Sequence, residues 1–243
     1  MLSGRDETVT PSFLRSLYKT SAYQPAALDK NKIGITGFHE QYPSHDDLTE
    51  FMTRYRSDAV GASFTVEEIN DGGYDSNDPG GEANLDMQYS QGIAWPIPHV
   101  FYSTGGVPQS FIPDSNQPEN NNEPYLDWLE YVIDLPDIPQ TISTSYSGDE
   151  QTFPLDYAKS VCCLFAQLGA RGVSVLMASG DLGVGGGDCQ KNDGSGTVEF
   201  LPIFPPTCAY GHVSLLENSI QAQKPVAHSI ASQVPLSPAS VAR

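Results

Sequence analysis

Basic residues are scarce in this 243-residue chain: 12 Lys and Arg stand against 30 Asp and Glu, giving a formal net charge of −18 and a pI near 4.3. A surface of that sign repels nucleic-acid phosphates and anionic membranes, so neither is expected as a partner. It also suits acidic surroundings, where protonation of many carboxylates relieves self-repulsion, although an ordinary soluble acidic protein carries the same signature. No run approaches the ~20 apolar residues of a membrane span. The opening Met-Leu-Ser-Gly-Arg-Asp-Glu lacks the apolar stretch of a secretory signal. Cysteine is limited to Cys162, Cys163, Cys189 and Cys208. The first two are adjacent on an expected helix and read as packed thiols. Cys189 and Cys208 flank a loop of Gly, Asp, Asn and Pro that a disulfide would restrain, and that bridge is left open. A zinc site is not expected, because neither the spacing nor nearby histidines supply a second ligand pair.

What is present suffices for a core: 39% hydrophobic and 10% aromatic residues, in one large domain or two small ones. Strands are expected over 32–38, 63–69, 99–103, 141–146 and 173–178, each short and rich in β-branched or aromatic residues. Helices are expected over 11–18, from Ser44 as N-cap with Asp46 and Asp47 in the first turn, after Pro79, over 125–133 and over 154–170. In the last, Ala158, Val161, Cys162, Phe165 and Leu168 face inward. This alternation predicts an α/β fold, a parallel sheet flanked by helices on both faces. No internal repeat is visible. Residues 209–243 lose the periodicity and read as a divergent, loosely structured tail after a domain spanning 1–208.

The chemistry concentrates in two places. Glu82 and Asp86 lie four apart on the helix after Gly80-Gly81, hence on one face and ~6 Å apart in rise. Such pairs are common on solvated faces, but Leu85 and Tyr89 alongside offer the partial desolvation that raises a carboxyl pKa. About a hundred residues on, Ala178-Ser179-Gly180-Asp181 follows an apolar run and opens into Gly-rich turns, as an active-site loop at a strand end does. The Gly-rich stretch matches neither a phosphate loop nor a dinucleotide fingerprint. Ser179 lacks the flanking glycines of a nucleophile elbow, having Met177 and Asp181 there instead. Asp188 and Asp193 lack the alternating ligand spacing of a calcium loop. His39, His45, His99, His212 and His228 are scattered, with none placed as a triad base, and read as structural or exposed.

Taken together, the stretches at 11–18, 81–86, 143–146, 172–186 and 200–208 resemble the sedolisin group of serine-carboxyl peptidases, and within it the secreted fungal tripeptidyl peptidases, from about residue 9 to 208. The resemblance implies a subtilisin-like fold and an extracellular, acid-acting serine peptidase. It implies Glu82 as the general base toward a serine, Asp86 as the residue that orients Glu82 and helps hold its proton, and Asp181 as a protonated oxyanion donor. Ser143, Thr144 and Ser145 would line the substrate cleft. Peptide or protein substrates follow, with a prodomain and a calcium ion in the complete domain. The pattern is then expected to break: after Cys208 the sequence drifts, no Gly-Thr-Ser nucleophile loop occurs, and the calcium site is not present in this chain. Ser145-Tyr146-Ser147-Gly148-Asp149 departs from the usual Ser-Tyr-Gly, and Leu182 replaces a more familiar Ser. The expectation is therefore a C-terminally incomplete peptidase domain, inactive by itself, with a non-catalytic peptide-binding remnant as the alternative. A glycosidase built on Glu82 and a second carboxylate is weaker still, since two acids one helical turn apart do not flank an open sugar groove.

Overall fold

The computed structural model of the chain describes residues 8–181, 189–209 and the backbone of 212–214. In chain order the elements are α1 (Pro11–Leu17), β1 (Ile33–Gly37), α2 (His45–Tyr55), β2 (Phe64–Ile69), α3 (Gly81–Ala94), β3 (His99–Thr104), α4 (Tyr125–Asp134), β4 (Thr141–Thr144), β5 (Gly148–Asp149), α5 (Leu155–Ala170), β6 (Ser174–Ala178), β7 (Ile203–Phe204) and β8 (His212–Ser214). Among the described residues six strands form one sheet in the order β2-β3-β1-β4-β6-β8, and every pairing in it is parallel. The α/β architecture expected from the sequence is the observed one, and it accords with a subtilisin-like fold.

Local chemistry fixes the helix starts. Thr10 accepts a hydrogen bond from the Phe13 N–H, and Pro11 fills the first position of α1. The Ser44 hydroxyl accepts from the Asp47 N–H, with Asp46 and Asp47 favoured by the positive end of α2. Both faces of the sheet are covered, as a parallel sheet requires. On one face Trp128, Leu129 and Val132 of α4 and Val161, Phe165 and Leu168 of α5 pack over Val100, Tyr102, Ile142, Val175 and Met177. On the other, Leu48, Phe51 and Met52 of α2 and Ala83 and Met87 of α3 pack over Ile35, Phe64 and Phe101. That second layer stops short of β6, whose Leu176 remains 40% exposed.

Three expectations need correcting. The strand expected to reach Tyr146 ends at Thr144, so residues 145–147 leave the sheet and enter a loop. Helix α3, for which no inward face was expected, buries Ala83, Asn84, Met87, Gln88, Gln91 and Gly92, with Asn84 bonded to Ser44 and Asp47 at the start of α2, and leaves Ile93 exposed. Cys208 pairs with Cys162, not Cys189, with Cα atoms 5.3 Å apart. The inward face of α5 carries Cys162 against the segment that includes Phe204 and Cys208, while Cys163, the next residue, points out and is exposed. Within the stretch read as a loose tail, His212–Ser214 instead adds β8 beside β6. The rest of that tail, and the Gly-rich run at 182–188, lie outside the described residues.

Candidate active site

The carboxyl-terminal end of the parallel sheet gathers the acids. Helix α3 begins there because its first turn is clamped from the β1–α2 connection. The Gln41 side-chain oxygen accepts from the Glu82 N–H at 3.1 Å, and the Gly80 N–H donates to the Tyr42 carbonyl at 2.9 Å. Gly80 is required by this close approach: a Cβ there would lie 2.5 Å from Gln41 Oε1 and 2.6 Å from Gln41 Cβ. One turn on, Asn84 accepts from the Ser44 N–H at 2.9 Å and donates to Asp47 at 2.8 Å, tying α3 to the start of α2. Position and tilt of the acid-bearing face are thereby set by polar bonds on the opposite face of the same helix.

Glu82 and Asp86 stand together beside Ser145, whose hydroxyl donates to Asp86 Oδ1 at 2.7 Å. Burial raises the pKa of Glu82 above the usual carboxylate range, the nearby charge of Asp181 raises it further, and the Ser145 hydroxyl opposes both. Asp86 is crowded more tightly by protein and is pushed well up, first by burial and then by Glu82, again opposed by Ser145. Glu82 lies in the first turn of α3, where the helix end favours the anion, yet burial prevails. Asp86 thus has beside it a carboxyl that opposes its own ionisation, the arrangement in which two acids titrate as a pair.

Asp181 reaches this pair from β6. The strand ends at Ala178, and Gly180 adopts φ +79°, in the left-handed region that favours glycine, where a Cβ would lie 3.8 Å from the Ser147 hydroxyl. The turn thus lies against the 145–147 loop, and Asp181 is exposed at the mouth, close enough to act electrostatically on Glu82. Of the three serine and threonine residues expected to line a cleft, Ser145 touches the acid pair and Ser143 is half-buried. Thr144 is 2% exposed and shares a face with Met177 in the core under α4 and α5, so only its backbone is available to a cleft.

The histidines hold structural posts where they are described. His99 is buried, bonded to the Ile97 carbonyl at 2.8 Å and to the Ser90 hydroxyl at 2.9 Å, and burial lowers its pKa to about 4. His45 stacks on Phe64 with ring centroids 4.0 Å apart. Among the described residues no three His, Cys, Asp or Glu side chains gather as a metal ion would need. No described helix is long and apolar enough to cross a membrane. Sequence reasoning missed Gln41, which caps Glu82, and Tyr146, whose phenol is buried between Phe38 and the acid pair. Gln41 belongs to no recognisable spacing, and Tyr146 lay in a motif whose pattern gave its ring no role, so only the fold brings them to the acids.

No protein-family model matches the chain. Individual relatives do. Tripeptidyl-peptidase SED2 of Arthroderma otae is 43% identical over 209 residues, 83% of this chain and 35% of that protein. Tripeptidyl-peptidase SED4 of the same fungus is 42% identical over 210 residues, 84% of this chain and 34% of its own length. Probable tripeptidyl-peptidase SED3 of Arthroderma benhamiae is 41% identical over 210 residues, 84% of this chain and 35% of its own. The chain spans about a third of the length of the relatives it matches.

Proposed function

Because this chain belongs, over the 83% of it that matches, with the sedolisin-type tripeptidyl-peptidases, we propose that it carries the acid half of a serine-carboxyl peptidase site. In this reading Glu82 is the general base, Asp86 holds and shares its proton, and Asp181 donates to the oxygen of a tetrahedral intermediate. A serine hydroxyl attacks the peptide carbonyl, its proton passes to Glu82, and the carbonyl oxygen takes negative charge beside Asp181. Collapse of the intermediate breaks the C–N bond, with Glu82 returning the proton to the leaving amine. Water then hydrolyses the acyl-serine by the same proton path, as microscopic reversibility requires. An oxyanion donor of this kind works only while Asp181 carries its proton, which makes the chemistry an acid-pH chemistry. The acidic surface and the family resemblance fit an extracellular, acidic setting and peptides with free N-termini as substrates, released as tripeptides.

One observation carries this reading: Glu82 and Asp86 on one face of α3 meet the Ser145 hydroxyl, which donates to Asp86 at 2.7 Å, and Asp181 from the turn after β6 stands close enough to act on Glu82. A surface pair of carboxylates has no reason to be met by a third from the end of β6. The sequence as given contains no Gly-Thr-Ser, the loop on which this scheme would place its nucleophile. The 243-residue chain is therefore expected to leave an N-terminally free peptide intact at about pH 3–6, the range in which carboxyl groups exchange protons. Turnover in that assay that Glu82→Gln abolishes would refute the absence of a nucleophile while keeping the base; turnover that Glu82→Gln leaves intact would refute the site.

A further inference from the structure

The Ser145 hydroxyl is the polar contact that opposes both raised carboxyls, yet Ser145 sits beyond the last ladder residue of β4. Something other than the sheet must hold it. The peptide carbonyl of the next residue, Tyr146, accepts a hydrogen bond from the Tyr125 hydroxyl at 3.0 Å. Tyr125 opens α4 and is fully buried. Its ring is caged by Phe38 at 5.6 Å, Phe204 at 5.9 Å and Phe153 at 6.2 Å between centroids, so its hydroxyl has a fixed place. The same hydroxyl faces Glu123 Oε2 at 3.1 Å, and one hydrogen is thus divided between two acceptors. Burial, followed by the charge of Glu123, raises the Tyr125 pKa well above that of a free phenol, which keeps it a donor. Tyr146 adds a 3.5 Å contact from its own hydroxyl to the Phe38 carbonyl, too long to fix the loop alone.

We propose that Tyr125 is a positioning residue of the site: its buried hydroxyl, through the Tyr146 carbonyl, sets where Ser145 meets Asp86. The inference rests on the reading of Glu82 and Asp86 as a working acid pair, but it concerns how the pair is held and has a readout independent of turnover. That readout is the titration midpoint of the Asp86 side-chain carboxyl, followed by carbon-13 NMR on the 243-residue chain. The groups facing Asp86 are Glu82 on its own helix, Ser145 and Tyr146 from the loop, and Asp181 through Glu82.

Ser145→Ala removes the donor and is expected to move the Asp86 midpoint upward. Tyr125→Phe keeps the ring and its cage and is expected to move it the same way by a smaller amount. In a Ser145→Ala background Tyr125→Phe should add nothing, since its effect runs through the missing hydroxyl. Trp128→Phe, which perturbs the core beneath α4 away from the loop, should leave the midpoint in place. An unmoved midpoint in Tyr125→Phe, or an equal shift with and without Ser145, overturns the positioning role. Glu82→Gln separates the two readings: loss of the downward shift it should cause in Asp86 would refute the coupled pair itself. If Tyr125→Phe does not fold, Glu123→Gln serves. Weakening the competing acceptor releases the Tyr125 hydrogen toward Tyr146 and is expected to lower the Asp86 midpoint only while Ser145 keeps its hydroxyl; the same shift in both backgrounds overturns the proposal.

Discussion

Removing Cys162 should weaken the fold by an amount that the position of its bridge fixes. Cys162 and Cys208 are 46 residues apart in sequence. Closing a loop of that length withdraws roughly 13.5 cal/mol/K from the unfolded chain, about 4 kcal/mol at room temperature in the chain-entropy account. Against the 5–15 kcal/mol that holds a typical domain folded, this is a large share. With a urea slope of about 2 kcal/mol/M, Cys162→Ala should lower the unfolding midpoint by roughly 2 M, and reductant should do the same to the parent protein and nothing further to the variant. Magnitude alone does not identify the bridge. A Cys189–Cys208 link would close a loop of roughly 19 residues and give about 3.2 kcal/mol, too near to separate. Identity is therefore read from the variants: Cys162→Ala and Cys208→Ala lose stability equally, while Cys163→Ala, at an exposed position, stays within about 0.5 kcal/mol of the parent. Peptide mapping without reduction should recover the 162–208 pair. A midpoint that falls on Cys189→Ala and holds on Cys162→Ala would refute the packing of α5 against the 203–208 segment. The loop so closed includes β6 and Asp181, so reduction should also loosen that turn against residues 145–147.

Asp86 makes stability fall with rising pH. Its folded-state pKa is raised, so its contribution is whole below the unfolded value near 3.8 and is lost as pH rises through the folded value. Asp86→Asn should accordingly stabilise the protein at about pH 7 and match the parent near pH 3; denaturant curves at both values check it, and a variant less stable at neutral pH would refute the buried anion. Asp181→Asn removes a negative charge next to Glu82 and should lower the Glu82 titration midpoint, measured by carbon-13 NMR. In a domain completed with a nucleophile segment, the same substitution should cost on the order of a hundredfold in kcat, the scale of one oxyanion donor. An unchanged kcat removes Asp181 from the mechanism. Gly80→Ala drives a methyl into Gln41 and displaces the cap on Glu82, costing about 1–2 kcal/mol by thermal denaturation; a neutral result would mean that the clamp yields freely.

The strands and long helices were legible because their residues obey periods that only one backbone geometry satisfies. Val161, Phe165 and Leu168 read as one inward stripe and are one. Ser44 read as a cap and caps. Glu82 and Asp86 were found because a helix holds residues four apart on one face, whatever the tertiary context. Where the sequence misled, a distant partner decided. In α3 the buried face was not legible at all, because Asn84 takes its partners from Ser44 and Asp47, 40 and 37 residues back in the chain. Cys162 looked like a packed thiol because nothing local announces that Cys208, 46 residues on, returns to α5. Cys189 was an open alternative because it flanks the same loop as Cys208, and loop entropy separates the shorter span from the longer one only slightly.

The end of β4 shows why a site can be half-readable. A strand delivers its last side chain by repeating hydrogen bonds, and those stop at Thr144. Beyond it, Ser145 must be placed to within hydrogen-bonding tolerance of Asp86, and an error of 1 Å would abolish a 2.7 Å contact. No sequence period specifies such a point. It is specified by a tyrosine on another helix, itself fixed by three aromatic rings from the residue after β1, the segment before α5 and β7. Acids on a helix therefore declare the chemistry in one dimension, whereas the hydroxyl that tunes them depends on packing that only the assembled sheet provides. Because that packing includes Phe204 and, through Cys208, the disulfide, the protonation of Glu82 and Asp86 is tied to contacts made more than a hundred residues away. Loosening the 203–208 segment should consequently shift the Asp86 midpoint as well as the unfolding midpoint, and in the same variant.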